Sequence, residues 1–302
     1  MDRLLAETPR DQEMIDKLQR EYEKLKNTVD RLQEENERLK KEIEEYKKRH
    51  PFLLLDYFGS DKPEDYLNGF PWHPHRGIET LTYLLKGKVE HEDSMGNKGV
   101  IRQGEIQWMT AGSGIFHQEM PSSFGQDKEM LGFQLWLNLR KNDKFSKPTY
   151  RSIDVNHLDK LQSERNEIKV ISGSILGRDN PSMEKHSLDV SYFDITSNGG
   201  SLEIPKQNDF TSMVIPMEGT LTSNGTKLNK LEVAVFGPKS GTIKIEGDQR
   251  HRYIYISGRR TNDKISWYGP IVMNDWREIE DSFRDLQDGT FVRDKSPTFD
   301  KF

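Results

Sequence analysis

Ten residues near the N-terminus recur at alternating intervals of three and four: Ile15, Leu18, Tyr22, Leu25, Val29, Leu32, Asn36, Leu39, Ile43 and Tyr46. That period belongs to an α-helix that buries a narrow seam against another helix. Ile15, Tyr22, Val29, Asn36 and Ile43 take the a positions of a heptad, and Leu18, Leu25, Leu32, Leu39 and Tyr46 the d positions. The remaining positions are mostly Glu, Lys, Arg, Asp and Gln. A single Asn at an a position costs stability but favours two strands in register, because its amide pairs with the partner's amide. The expectation for residues 1–50 is a coiled-coil arm that makes the chain a parallel homodimer. Other oligomers, or a lone amphipathic helix lying on the rest of the chain, are the alternatives. Pro51 stops the helix, since it lacks an N–H donor and restricts the residue before it.

The rest of the chain obeys a different pattern. Residues 1–50 hold 27 charged side chains and no glycine, whereas all 23 glycines lie at or after Gly59. Short runs rich in Val, Ile, Tyr, Trp and Thr alternate there with Gly, Asn and Asp turns, among them 80–85, 106–109, 133–138, 168–172, 191–195, 211–216, 242–246 and 252–257. This is the signature of a β-sandwich or barrel. The run from Leu81 to Gly87 resembles that from Ser212 to Gly219, and each is followed by a second strand, near Glu105–Met109 and Glu232–Phe236. We expect a mainly β fold of two tandem barrels, 51–150 and 151–302. A short C-terminal helix is capped by Asn274 or Asp275, with Glu278 closing a capping box and Ile279, Phe283 and Leu286 forming its apolar face.

Composition excludes several classes. With no cysteine, disulfide scaffolds, thiolate metal sites and thiol-based redox sensing are ruled out. No stretch approaches the roughly 20 apolar residues of a membrane helix. The charged N-terminus is not a signal peptide, so a soluble, cytoplasmic protein with no membrane role is expected. A formal net charge of −5 argues against direct binding of nucleic acid through bulk charge.

The densest chemical signal is Gly69-Phe-Pro-Trp-His73-Pro-His75-Arg-Gly-Ile-Glu79, followed by Gly112-Ser-Gly114-Ile-Phe-His117-Gln-Glu119. On a strand, residues two apart share a face. His73 and His75 therefore form one pair of donors, and His117 and Glu119 another. Three neutral imidazoles and one carboxylate suit Fe(II), Mn, Ni, Co or Cu better than Ca or Mg. An octahedral ion so held keeps two positions open for substrate or dioxygen. Glu79 is read as a structural carboxylate rather than a ligand. Phe70, Trp72, Met109 and Phe116 flank the donors and are candidates for an apolar slot, although for any one of them a place in the barrel core is the favoured expectation.

The segments Pro51–Asp56, His73–Thr80, Tyr83–Gly87, Gln107–Met120, Gln134–Leu139 and Tyr268–Asn274 together resemble the pirin family of the cupin superfamily. The resemblance runs from about 51 to 292 and is most specific between 68 and 140. It implies a bicupin with one iron site, in the first barrel only, held by His73, His75, His117 and Glu119. The second repeat, with no His-x-His, agrees with one site per chain. Two functions follow. The first, which we favour, is a metal-dependent flavonol dioxygenase of the quercetin 2,3-dioxygenase type. There a flavonol hydroxyl binds at an open position of Fe(II) and loses its proton to Glu119, which is ligand and general base together. The second is a redox-responsive transcriptional co-regulator with a protein partner, located in the nucleus if the chain is a eukaryotic pirin.

Overall fold

The computed structural model describes residues 9–47, 50–122, 128–155, 158, 160–163, 165–179, 189–261, 263–294 and 299–301, with side chains described from residue 17 to residue 40 of the N-terminal helix. The chain divides into two compact units, Met1–Lys47 and Lys48–Phe302. The first contains helix α1, Pro9–Lys47. Gly and β-branched residues are nearly absent from it, so little opposes helix propagation.

The second unit is mainly β. Its first barrel is built from β1 (Phe52–Ser60), β2 (Phe70–His75), β3 (Ile78–Lys86), β4 (Lys88–Asp93), β5 (Lys98–Arg102), β6 (Glu105–Thr110), β7 (Ile115–Pro121), β8 (Met130–Asn138) and β9 (Thr149–Asp154), with a one-turn helix α2 (Pro63–Tyr66) between β1 and β2. One sheet carries the order β1-β8-β3-β6-β9 and the other β2-β7-β4-β5. After the short strands β10 (Lys160–Gln162), β11 (Asn166–Ser172), β12 (Ser174–Ile175) and β13 (Arg178–Asp179), the second barrel follows. It consists of β14 (Val190–Lys206), β15 (Phe210–Glu218), β16 (Leu221–Ser223), β17 (Thr226–Leu228), β18 (Ala234–Phe236) and β19 (Gly241–Arg259), with β11 extending its main sheet beside β14 and β10 at the edge.

The two barrels repeat one topology, as the matching runs at Leu81 and Ser212 lead one to expect. Strands β14 and β19 are long, and a register shift between Asn198 and Gly200 divides each into two halves. The half of β14 before the shift, the later half of β19, β15 and β18 follow one another as β1, β8, β3 and β6 do. The remaining halves lead through β16 to β17, as β2 and β7 lead through β4 to β5. One apolar cluster spans both barrels, joining Leu81, Trp108, Phe133 and Leu135 to Ile171, Tyr192, Met213 and Ile254. Tyr83 crosses the same boundary and donates to Asp194 (2.7 Å), which also accepts two bonds from Arg252. The barrels therefore bury a common core, and burial on this scale is the main stabilising term in folding.

The chain then returns to the first barrel. A hairpin, β20 (Ser266–Tyr268) and β21 (Ile271–Met273), leads into α3 (Trp276–Gln287). Asp275 caps α3, and Glu278 completes the capping box, as expected. Ile279, Phe283 and Leu286 pack with Phe291. The fully buried Arg76 guanidinium ties this segment down: it donates to the Ser113 and Phe291 carbonyls, to Ser282 Oγ, and to Asp285 at 2.8 Å. Among the described residues, no helix is long and apolar enough to cross a membrane.

Candidate metal centre

Strand alternation sets up the site. Along β7 the side chains of Ile115, His117, Glu119 and Pro121 are buried and those between them are half-buried. On β2, His75 is buried and His73 half-buried. The two strands pair antiparallel, with His73 opposite His117 and His75 opposite Ile115. This register brings the rings of His73, His75 and His117 to centroid separations of 4.3 to 5.1 Å. Their donor atoms lie within 4.8 Å of one another. Gly112 makes the turn into β7: its φ is +48°, and a Cβ there would collide with the Ser146 carbonyl.

Hydrogen bonds orient two of the three rings. His73 Nδ1 lies 2.8 Å from the Pro71 carbonyl, and His75 Nδ1 lies 3.2 Å from the Pro270 carbonyl. A carbonyl only accepts, so each Nδ1 carries a proton and each Nε2 faces away from that bond as the candidate donor atom. The second bond comes from 195 positions later in the chain. His117 is fully buried, and neither of its ring nitrogens has a hydrogen-bond partner. Two such orphaned atoms on one buried side chain are costly. Burial, reinforced by His73, lowers the pKa of His75 to about 3. Burial and the neighbouring His75, His73 and His91 hold His117 well below the usual range. The His75 and His117 imidazoles are thus neutral, the form that binds metal. A divalent transition metal fits this donor set and would engage one of the two unpaired His117 nitrogens.

Glu119 stands on the other side of His117. Its donor atom groups within 4.8 Å of His117 and His91, whereas the group around His73 and His75 contains only histidines. Gln134 Nε2 donates to Glu119 Oε2 at 2.8 Å, and Thr82 Oγ1 (3.3 Å) and Gln107 Nε2 (3.5 Å) approach Oε1. Trp136 Nε1 donates to Gln134 Oε1, which fixes the amide's orientation.

His91 was not among the expected site residues. It lies on β4 opposite Glu119, and its ring stacks on Tyr150 at 4.5 Å. Gln107 donates to its Nδ1, and its Nε2 faces Asp93. With both nitrogens engaged, His91 supports the site rather than offering a free donor. The signal was present: His91-x-Asp93 has the same two-residue spacing as the other pairs. Glu79 lies in neither group, and its carboxylate accepts from Trp108 and Thr110.

Of the four candidate slot residues, Phe70 alone lines the hollow beside Glu119, with Phe58, Thr82, Val89, Met130 and Gln134. Trp72 is exposed, Met109 is buried with Ile78 and Ile115, and Phe116 packs on Phe291. Phe116 is excluded by the same alternation that turns His117 inward.

Comparison with known proteins places this geometry in context. Residues 32–137 match the family described as Pirin, and residues 192–292 match the Pirin C-terminal cupin domain. A protein of Thermoplasma acidophilum named "Putative quercetin 2,3-dioxygenase" is 39% identical over 261 residues, covering 80% of this chain and 99% of that protein. A "Pirin-like protein" of Caulobacter vibrioides is 38% identical, covering 80% and 87%. The crystal structure of a quercetin 2,3-dioxygenase from Acinetobacter baumannii superposes with a TM-score of 0.72 at 29% identity, covering 80% of this chain and 86% of that one.

Proposed function

The chain belongs to the pirin family, a bicupin family, and from that premise we propose that it is an Fe(II)-dependent dioxygenase that opens the central ring of a flavonol. The observation that carries the proposal is the buried His117, whose two ring nitrogens lack partners between a pair of oriented imidazoles and a carboxylate held by Gln134. His73, His75 and His117 would hold the ion, with Glu119 as the fourth ligand after a turn of its side chain. When bound, the metal supplies a Lewis acid and the redox coupling to dioxygen that ring cleavage requires.

The residues of the chain do the remaining work. Glu119 takes the proton of the flavonol 3-hydroxyl and returns it to the carboxyl group of the product. Gln134, Thr82 and Gln107 hold that carboxylate by three contacts beside the three-histidine group, within a side-chain turn of it. Phe70 and Phe58 offer aromatic surface to a flat ring system. The hollow beside Glu119 is too small for a flavonol as it stands, so the half-exposed Phe70 must swing aside to admit one.

Turnover of quercetin by the iron-loaded protein, followed in air as loss of the flavonol's visible absorbance, tests the proposal, with Glu119→Gln as control. Turnover that disappears in the variant supports it. Absence of turnover from protein shown to hold iron rejects it.

A further inference from the structure

Helix α1 has an apolar stripe along one face. Every described side chain from residue 17 to residue 40 is exposed, including Leu18, Leu25 and Leu32 at more than half of their surface. A seam of four leucines on one helix face, in a chain that spends charge freely elsewhere, requires a partner. The flanking positions identify it. The e positions carry Gln19, Lys26, Gln33, Lys40 and Lys47; the g positions carry Glu21, Thr28, Glu35 and Glu42.

In a parallel, in-register pair of identical helices, each g residue faces the e residue of the following heptad in the partner. Glu21 then meets Lys26, Thr28 meets Gln33, Glu35 meets Lys40, and Glu42 meets Lys47. Every charged contact is between opposite signs. In an antiparallel pair g faces g and e faces e, which sets Glu against Glu and Lys against Lys. The ion pairs within the helix, Arg38 with Glu35 and Lys40 with Glu37, are exposed i,i+3 contacts worth little by themselves. They can yield to contacts across the seam. Asn36, at a, adds the register signal and selects two strands.

We infer that α1 is a dimerisation element for a second copy of this chain, and that its e and g charges specify a parallel, in-register homodimer. The charges act against the antiparallel alternative as much as for the parallel one.

The full chain has a mass of 35.2 kDa and no cysteine, which makes the test direct. Sedimentation equilibrium of the whole protein at micromolar concentration should give twice the chain mass. Leu18→Cys introduces a single thiol at a d position, which in a parallel pair meets its own copy within disulfide reach. Air oxidation should then give a covalent dimer that reductant reverses. Reversal of the g charges (Glu21→Lys, Glu35→Lys, Glu42→Lys) should weaken self-association by at least about tenfold. Mixing that variant with Lys26→Glu, Lys40→Glu, Lys47→Glu should restore a mixed dimer. A monomer or a trimer overturns the inference, and a dimer that Cys at position 18 fails to link overturns its orientation.

Discussion

The two barrels place different residues on the same ladder. In the first, His73 pairs with His117 and His75 with Ile115. In the second, the corresponding half-strands pair Leu202 with Ile245 and Ile204 with Ile243. Around them the second barrel fills its interior with Ile168, Val170, Ile195, Val214, Leu221 and Leu228. The first keeps a polar interior in which Thr82, His91, Gln107 and Glu119 bond to one another and both ring nitrogens of His117 are left unpaired. One topology thus supports either a packed core or a metal centre. The choice rests on a few inward positions, since a buried polar group is tolerated only with its partners.

Substitutions that exchange the two interiors give the largest effects. Ile245→His should destabilise the protein by about 3 kcal/mol, because it buries an imidazole with no partner and loses apolar packing. His117→Leu should leave the metal-free protein as stable or more so, since it removes two unpaired buried atoms, while abolishing metal binding. Denaturant melts and elemental analysis of the two variants measure both outcomes. Equal destabilisation would break the comparison.

The support around Glu119 comes next. Gln134→Leu removes its shortest hydrogen bond and, by freeing the general base from its orientation, should lower turnover by about 10- to 100-fold with the fold intact. Steady-state kinetics decide it.

The first barrel also leans on the end of the chain, through Arg76 and the Pro270 carbonyl. Asp285→Ala leaves the buried Arg76 without its counter-ion. It should cost about 2 to 3 kcal/mol, less than for a wholly buried pair because Asp285 is partly exposed. Thermal denaturation measures the loss, and metal titration should show weaker binding as the hold on His75 loosens.

The smallest effect concerns Glu79. Burial raises its pKa above the ordinary value of 4.5, against the opposing bonds from Thr110 and Trp108. A carboxyl whose folded value is raised contributes stability that is full below pH 4.5 and is lost as pH rises through the folded value. Glu79→Gln should flatten that decline and gain on the wild type toward neutral pH, as melts across the pH range would show.

Much of this was legible in the sequence, for identifiable reasons. The i,i+2 spacings of His73 with His75 and of His117 with Glu119 fix each pair to one face, because strand alternation is local. The capping box at Asp275 and Glu278 is local too, and so is the heptad of α1. Of the four slot candidates, Phe70 lines the hollow and Met109 lies in the core, the alternative the sequence favoured for any one of them, while Phe116 is turned away because adjacency to a donor in sequence means the opposite face of a strand. His91 was passed over although its spacing matched the others.

By itself, then, the sequence determined a heptad helix, two β repeats, a candidate set of metal donors and the absence of thiol chemistry. These are properties of composition and short-range periodicity. Only the tertiary structure decided that Pro270 orients His75, that Gln134 holds Glu119 turned from the three-histidine group, and that the second barrel packs an apolar cluster in its interior. Each depends on strand register and on contacts between residues far apart in the chain, where hydrogen-bond partners and packing neighbours are set by the fold as a whole.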